Sequence, residues 1–116
     1  MAGAETRLVT YGTLSPGQPN HHQLDGLTGR WRTGTVRGHR RDSGWGAAIG
    51  FPGLVADPKG PHVPVHLFES DDLPRHWHRL DEFEGEGYVR STIEVATPEG
   101  SVEAQIYLLA PAETER

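Results

Sequence analysis

Glycine and proline interrupt this chain so often that short strands and one helix fit between them better than a helical bundle does. Fifteen glycines and nine prolines occur in 116 residues, and both residue types favour turns. A chain of this length forms one domain, with little room for a second core. We therefore predict an α+β fold over residues 1–116, in which a small mixed or antiparallel sheet, able to curl into a barrel, packs against one main helix.

Five segments have clear strand patterns, and their alternation and β-branched content set them apart from the turns between them. The predicted strands are residues 8–11, 31–39, 63–68, 88–97 and 101–109, with two briefer candidates at 47–49 and 54–56. Pro64 has to lie at the start of its strand or on a sheet edge. Residues 1–6 are expected to form a disordered lead-in, and residues 111–116 a frayed tail. The tally is about six or seven strands.

One segment, residues 71–83, has a convincing helical pattern. Ser70 opens it, and Pro74 must lie within its first turn, where the missing proline N–H costs least. Leu73, Trp77, Leu80 and Phe83 mark a single apolar stripe along it. A second, shorter helix can begin at His21, with Asn20 as its cap.

Composition excludes several classes of function. The chain has no cysteine and a formal charge of −5, which excludes disulfides and thiol nucleophiles and makes nucleic acid an unlikely partner. The N-terminus lacks a signal-like apolar run and no stretch has the length of a membrane span, so we expect a cytoplasmic protein with no membrane contact. The pairs His21/His22 and His76/His78 have spacings that do not favour a metal site. The sequence specifies no oligomeric state.

The first segment with chemical potential is Tyr11 to Asn20, a strand end followed by a loop rich in glycine and proline. Unpaired backbone N–H groups near a helix N-terminus can bind a carboxylate or an oxyanion. An ordinary turn between a strand and a helix is the simpler alternative. The loop lacks the glycine spacing of nucleotide-binding motifs.

The second segment, residues 80–90, places four carboxylates at the end of the predicted helix. The helix dipole makes this position unfavourable for acids, and mutual repulsion together with burial would raise the pKa of one of them. Such a carboxyl suits proton transfer near neutral pH. Glu84 is the candidate, because Phe83 ends the apolar stripe and Gly85 and Gly87 leave room for a ligand. A solvated acidic turn is the alternative, and the remaining acids are expected to be surface residues or helix-end spacers: Asp81, Glu82 and Glu86.

Both segments resemble signatures of the gamma-glutamylcyclotransferase-like family. The run VTYGTLSPGQPNHHQL is similar to the opening signature, and LDEFEGEGYVR is similar to the second. The intervening GTVRG and FPGLVAD also resemble family text, and GQPNHHQL is nearest to the gamma-glutamylamine cyclotransferase branch. The resemblance spans roughly residues 7–109.

The resemblance implies a small β-barrel with a pocket between the two motifs, and an enzyme that needs no metal or organic cofactor. Such an enzyme, a carbon–nitrogen lyase or acyltransferase, releases 5-oxoproline from a gamma-glutamyl amide. The catalytic glutamate of the family falls on Glu84, and Tyr88 matches a tyrosine of the pocket wall. Backbone groups that hold the glutamyl head fall on the loop Tyr11, Gly12, Thr13 and Leu14.

One departure from the family pattern concerns the substrate. Val65 and His66 stand where the family commonly has a Gly-Glu pair, which bears on the substrate branch more than on Glu84. Two alternatives to the cyclotransferase stay open: a non-catalytic protein that binds an amino-acid-like ligand, and an enzyme that removes a gamma-glutamyl protecting group in a biosynthetic pathway. Trp45 either shields the pocket or packs at the barrel end, and packing is favoured.

Overall fold

A computed structural model describes residues 3–11, 15–17, 21–41, 53–85 and 87–109. These residues form β1 (Arg7–Thr10), β2 (Arg30–Arg41), β3 (Gly53–Ala56), β4 (His62–Glu69), α1 (Trp77–Glu84), β5 (Tyr88–Thr97) and β6 (Gly100–Leu109). Three short 3₁₀ turns accompany them, at Ala4–Thr6, His21–Leu24 and Leu73–Arg75. The described part of the chain is therefore mostly β structure with one α-helix, as predicted.

Five of the strands close into a barrel. The strands β2, β4, β1, β6 and β5 are neighbours in that order, and β5 pairs back with β2 through Thr35 and Ala96. β1 and β6 run parallel, whereas the other pairings among the described strands are antiparallel. β3 is the sixth strand and pairs with β2 outside the ring. The predicted mixed barrel is thus confirmed.

The barrel closes where Gly34 of β2 approaches β5. A Cβ atom added to Gly34 would lie 2.7 Å from the carbonyl oxygen of Ala96 and 2.8 Å from Cγ1 of Val95. Both distances are well below the separation at which non-bonded heavy atoms attract each other. Glycine at this position therefore lets the two strands come close enough to pair.

Apolar residues pack in two layers, one inside the barrel and one between the barrel and α1. The inner layer contains aliphatic residues from all six strands: Val9, Val36, Leu54, Val63, Val65, Leu67, Val95, Ala104 and Ile106. The outer layer contains larger side chains: Leu8, Leu24, Phe68, Leu73, Trp77, Leu80 and Tyr107. Successive strand residues such as Leu67 and Phe68 enter different layers, because they point to opposite faces of the sheet.

Pro64 lies within β4, opposite Thr35 of β2. β1 pairs with β4 at residues 66–69, so the half of β4 that contains Pro64 has a described neighbour on one side. An edge position tolerates a residue without an N–H group. Among the described residues this proline therefore has the edge position, one of the two placements predicted for it.

The helix α1 is shorter than the predicted helix over residues 71–83. A 3₁₀ turn precedes it, in which the N–H of His76 donates to the carbonyl of Leu73 at 2.8 Å. Ser70 opens this turn as predicted: its hydroxyl donates to the carbonyl of Thr28 at 2.6 Å and accepts the N–H two residues later at 3.0 Å. The tighter i to i+3 bonding of this turn delays the α-helix until after His76.

Residues 3–6 form an ordered turn, although the sequence predicts a disordered lead-in over residues 1–6. The carbonyl of Glu5 accepts a hydrogen bond from the indole N–H of Trp77 at 2.9 Å. The carbonyl of Thr6 accepts one from the N–H of Ser70 at 2.9 Å. Both contacts come from distant parts of the chain, so the local sequence pattern does not reveal them.

The C-terminal hairpin agrees closely with the sequence pattern. β5 covers the predicted residues 88–97, and β6 begins one residue before the predicted 101–109. Gly100 lies in the turn with φ of +118°, a conformation that favours glycine. Three predicted features lie outside the described residues: the strand 47–49, the cap Asn20 and the tail 111–116.

Candidate active site

Glu84 is the last residue of α1 and continues the buried stripe of the helix. Leu73, Trp77 and Leu80 are buried, and Glu84 follows Leu80 by four residues, which places both on one face. Phe83, predicted as the end of this stripe, is instead 37% exposed. The last turn of α1 therefore directs a carboxyl group, rather than a phenyl ring, toward the barrel.

Gly85 ends α1 directly after Glu84. Its φ is +81°, in the left-handed region that favours glycine at a helix end. The Gly85 N–H donates to the carbonyl of Asp81 at 3.1 Å, and the Gly85 carbonyl accepts the N–H of Tyr88 at 3.3 Å. This short connection holds Glu84 between the end of α1 and the start of β5.

Burial raises the pKa of the Glu84 carboxyl from 4.5 to about 7. Withdrawal from water disfavours the charged form of a carboxyl group, and burial is the single cause of this shift. The sequence analysis predicts a raised pKa from burial together with repulsion, and burial is the cause found in the structure. Repulsion from the neighbouring acids contributes nothing among the described residues.

Tyr11 and Tyr88 share the electrostatic environment of Glu84. Burial raises the pKa of Tyr11, and the charges of Tyr88 and Glu84 raise it further. Burial likewise raises the pKa of Tyr88, with the charge of Glu84 as the next cause. Such effects weaken with distance and screening, so Tyr11 and Tyr88 lie within electrostatic range of Glu84. The other predicted binding residues lie outside the described part of the chain: Gly12, Thr13 and Leu14.

The hydroxyl of Tyr11 is held by the backbones of two strands. It donates a hydrogen bond to the carbonyl of Tyr107 in β6, and the backbone N–H of Leu54 in β3 hydrogen-bonds to it. Its proton is therefore already engaged within the protein. The Tyr11 side chain connects the end of β1 with β3 and β6 beside Glu84.

Asp81 is the centre of a hydrogen-bond network, whereas sequence reasoning left it as a surface residue or spacer. Its Oδ1 accepts hydrogen bonds from Nε of Arg90 at 2.8 Å and from the hydroxyl of Tyr107 at 2.7 Å. Its Oδ2 accepts a longer one, 3.3 Å, from Nη2 of Arg90. Arg90 belongs to the Tyr-x-Arg part of the second motif, and its need for a carboxylate partner is the signal that could have identified Asp81.

The structure also describes Glu82 and the two residues that depart from the family pattern, Val65 and His66. Glu82 is exposed and pairs with Nε2 of His78 at 2.5 Å, as expected for a surface residue. Val65 packs inside the barrel, and the ring of His66 lies 6.4 Å from that of Trp31. Two further residues of the sequence analysis fall outside the described ranges: Trp45 and Glu86.

The described residues contain neither a metal-binding cluster nor a membrane-spanning helix. No three side chains of the metal-binding types gather there in a way that would hold an ion. None of the helices in these ranges has the length and apolar character needed to cross a membrane.

Comparison with known proteins identifies the family of this chain. The model of the family described as gamma-glutamyl cyclotransferase, AIG2-like, matches residues 8–116. The chain belongs to this family. A comparison of this AIG2-like chain with curated proteins finds no match.

Solved structures of other proteins share the fold of this AIG2-like chain. YkqA from Bacillus subtilis is 28% identical with a TM-score of 0.70; the match covers 90% of this chain and 35% of YkqA. An AIG2-like protein from Mus musculus is 27% identical with a TM-score of 0.69, over 94% of this chain and 82% of the mouse chain. PH0828 from Pyrococcus horikoshii, 24% identical with a TM-score of 0.61 over 90% of this chain and 77% of its own, shows the fold alone. Family membership supports an enzyme of the cyclotransferase kind.

Proposed function

We propose that this protein releases 5-oxoproline from a gamma-glutamyl amide, with Glu84 as the general acid and base. The leaving group is an amine or the amine of an amino acid. The observation that carries the proposal is the partly buried Glu84 carboxyl with a pKa of about 7. Near neutral pH such a group exists in both protonation states, so it can accept a proton and return it.

The reaction needs no nucleophile from the protein. The substrate α-nitrogen attacks the γ-carbonyl carbon and closes a five-membered lactam, and the bond from that carbon to the leaving nitrogen breaks. Two protons lost by the α-ammonium group are gained by the leaving nitrogen. A carboxyl that gives up each proton it accepts therefore ends the cycle unchanged. Holding the two ends together supplies much of the rate, because effective molarities of well-oriented pairs reach about 10⁵ M or more.

The residues around Glu84 are compatible with a reaction in which the protein binds the substrate and transfers protons. Tyr88, proposed as part of the pocket wall, responds to the charge of Glu84. We assign the glutamyl head to the backbone of the Tyr11–Leu14 loop, whose N–H groups would also stabilise the developing oxyanion. The hydroxyl of Tyr11 is engaged with backbone groups, which leaves the acid and base role to Glu84.

The test is release of 5-oxoproline by the purified protein from gamma-glutamyl amines and gamma-glutamyl amino acids. E84Q keeps the shape of the side chain but cannot exchange protons, so turnover should fall by about 10²- to 10⁴-fold. E82Q, which alters the exposed neighbour on the same helix, is the matched control and should keep full activity. Undiminished turnover in E84Q would contradict the proposal, and binding of 5-oxoproline without turnover in the unaltered protein would favour a binding protein.

A further inference from the structure

The acid network next to Glu84 is built from three secondary-structure elements. Asp81 lies three residues before Glu84 on α1, so the two side chains are neighbours on the helix surface, roughly 5–6 Å apart at Cβ. Arg90 of β5 and Tyr107 of β6 face each other directly across the hairpin. Both donate to the Asp81 carboxylate, at 2.8 Å and 2.7 Å. The network therefore joins the last turn of α1 to both strands of the C-terminal hairpin.

The guanidinium of Arg90 is oriented by more than its ion pair. It lies over the ring of Trp77, 4.6 Å from the centroid, and its Nη1 donates to Oε1 of Gln105 at 3.1 Å. Gln105 in turn donates from Nε2 to the hydroxyl of Thr92 at 3.0 Å. Trp77 and Asp81 are one turn apart on α1, so Arg90 is held at two levels of the helix. An arginine held in this way also fixes the position of its partner, the Asp81 carboxylate.

The place of Glu84 depends on this attachment. α1 has only eight residues, and its last carbonyl groups lack partners within the helix. A helix this short is not stable by itself, and its ends fray without tertiary contacts. The bonds to Asp81 hold the final turn against β5 and β6, and Glu84 is the residue that ends this turn.

The charge around Glu84 depends on the network as well. The charge of Glu84 contributes to raising the pKa of three tyrosines: Tyr11 at the end of β1, Tyr88 in β5 and Tyr107 in β6. Asp81 lies about one turn before Glu84 on α1, and the Arg90 guanidinium balances its charge. The charge of Arg40 in β2 opposes this rise in the pKa of Tyr11. Burial raises the pKa of Glu84, and the ion pair with Arg90 at 2.8 Å leaves the Asp81 carboxylate with a cationic partner.

We infer that Asp81, Arg90 and Tyr107 are positioning residues for Glu84. They fix the last turn of α1 against the hairpin and keep the charge beside the Glu84 carboxyl balanced. This inference rests on the proposed role of Glu84 as acid and base.

Opposite changes of charge provide the sharpest test. D81N leaves the Arg90 cation beside Glu84 and should lower the Glu84 pKa, whereas R90Q leaves the Asp81 anion and should raise it. We expect shifts of about half a unit to one unit in each direction, and a return toward the wild-type value in the double variant D81N/R90Q. The pKa is measured directly by carbon NMR on protein labelled in its glutamate carboxyls, with E84Q to identify the resonance. R75Q, which removes the exposed Arg75 from its pair with Asp72, is the matched control and should leave the Glu84 pKa unchanged.

Steady-state kinetics test whether the network fixes the position of Glu84. Y107F keeps the buried ring and removes one donor to Asp81, so kcat should fall about 10- to 100-fold with KM little changed, as for a displaced catalytic group. R90K keeps the charge and should recover the wild-type Glu84 pKa. Opposite shifts in D81N and R90Q with a kcat effect in Y107F support the inference. Equal Glu84 pKa values in all folded variants, or a change confined to KM, would overturn it. An active E84Q would instead refute the proposed function, and the NMR shifts would still be measurable.

Discussion

Asp81 and Glu84 lie three residues apart on α1, yet the tertiary structure gives their carboxyl groups opposite environments. The Asp81 carboxylate receives the guanidinium of Arg90 at 2.8 Å, whereas burial raises the pKa of the Glu84 carboxyl to about 7. The Asp81 oxygens are engaged by a fixed guanidinium, whereas withdrawal of the Glu84 carboxyl from water favours its neutral form. Within one helical turn, Asp81 is therefore suited to attach α1 to the hairpin and Glu84 is suited to transfer protons.

The buried carboxyl should make the stability of the protein depend on pH. Glu84 has a pKa of about 7 when folded and an ordinary value of 4.5, so between these values the native state holds a proton that the unfolded state has lost. Stability from this group is therefore fully present below pH 4.5 and is lost as the pH rises through 7. E84Q lacks this loss and should be more stable than the wild type at pH 8, by on the order of 1–3 kcal/mol.

Urea unfolding at pH 4.5 and at pH 8 measures this difference. The two proteins should have similar free energies of unfolding at the lower pH and diverge at the higher one. E82Q serves as the control, because Glu82 is exposed on the same helix. A difference between E84Q and the wild type that is the same at both pH values would contradict burial as the cause of the shift.

The pH dependence of turnover should report the same group. A general base in the free enzyme must be deprotonated, so kcat/KM for 5-oxoproline release should rise with pH and level off above an apparent pKa near 7. Initial rates between pH 5 and 8.5 at constant ionic strength measure it. A midpoint near 4.5, or a flat profile, would show that a carboxyl with the Glu84 environment does not control the reaction.

Loss of the Tyr11 hydroxyl should weaken the fold more than the chemistry. Y11F removes the donor to the Tyr107 carbonyl and the partner of the Leu54 N–H. Leaving such groups unsatisfied costs about 1–3 kcal/mol, so the urea midpoint should fall. Turnover of the folded protein should stay within a few-fold of wild type, since the proposed contacts to substrate come from the backbone here. A severe loss of kcat at unchanged stability would place the hydroxyl in the reaction instead.

A side chain at Gly34 should disrupt closure of the barrel. The added Cβ in G34A would lie 2.7 Å from the Ala96 carbonyl oxygen, and the backbone of β5 would have to move. Overpacking of this kind costs about 1–3 kcal/mol, measurable as a lower urea midpoint. T33A, at the exposed neighbouring position on β2, is the control and should cost less than about 1 kcal/mol. Equal effects of the two substitutions would show that the close approach at Gly34 is relieved without strain.

Local patterns predicted the strands well and the helix boundaries less well. The alternation from Tyr88 onward and the turn before β6 predicted the C-terminal hairpin almost to the residue, because side chains of a half-buried strand repeat every two residues. The sequence predicts Phe83 as the last residue of the buried helical stripe, whereas in the structure Phe83 is exposed and Glu84 continues the stripe. Helical spacing allows either the third or the fourth residue after Leu80 to face inward, and only packing against the barrel selects between them.

The sequence by itself determined that this chain forms a small β-rich domain of the gamma-glutamyl cyclotransferase, AIG2-like family and that Glu84 is its acid of interest. The fold class follows from strand periodicity, and the family and Glu84 follow from two motifs, at residues 9–24 and 80–90, that resemble the family signatures. The tertiary structure decided what acts on that acid: burial against the barrel raises its pKa, and Arg90 and Tyr107 engage Asp81 one turn earlier. Burial and charge pairing depend on which distant segments meet, so no local pattern specifies them.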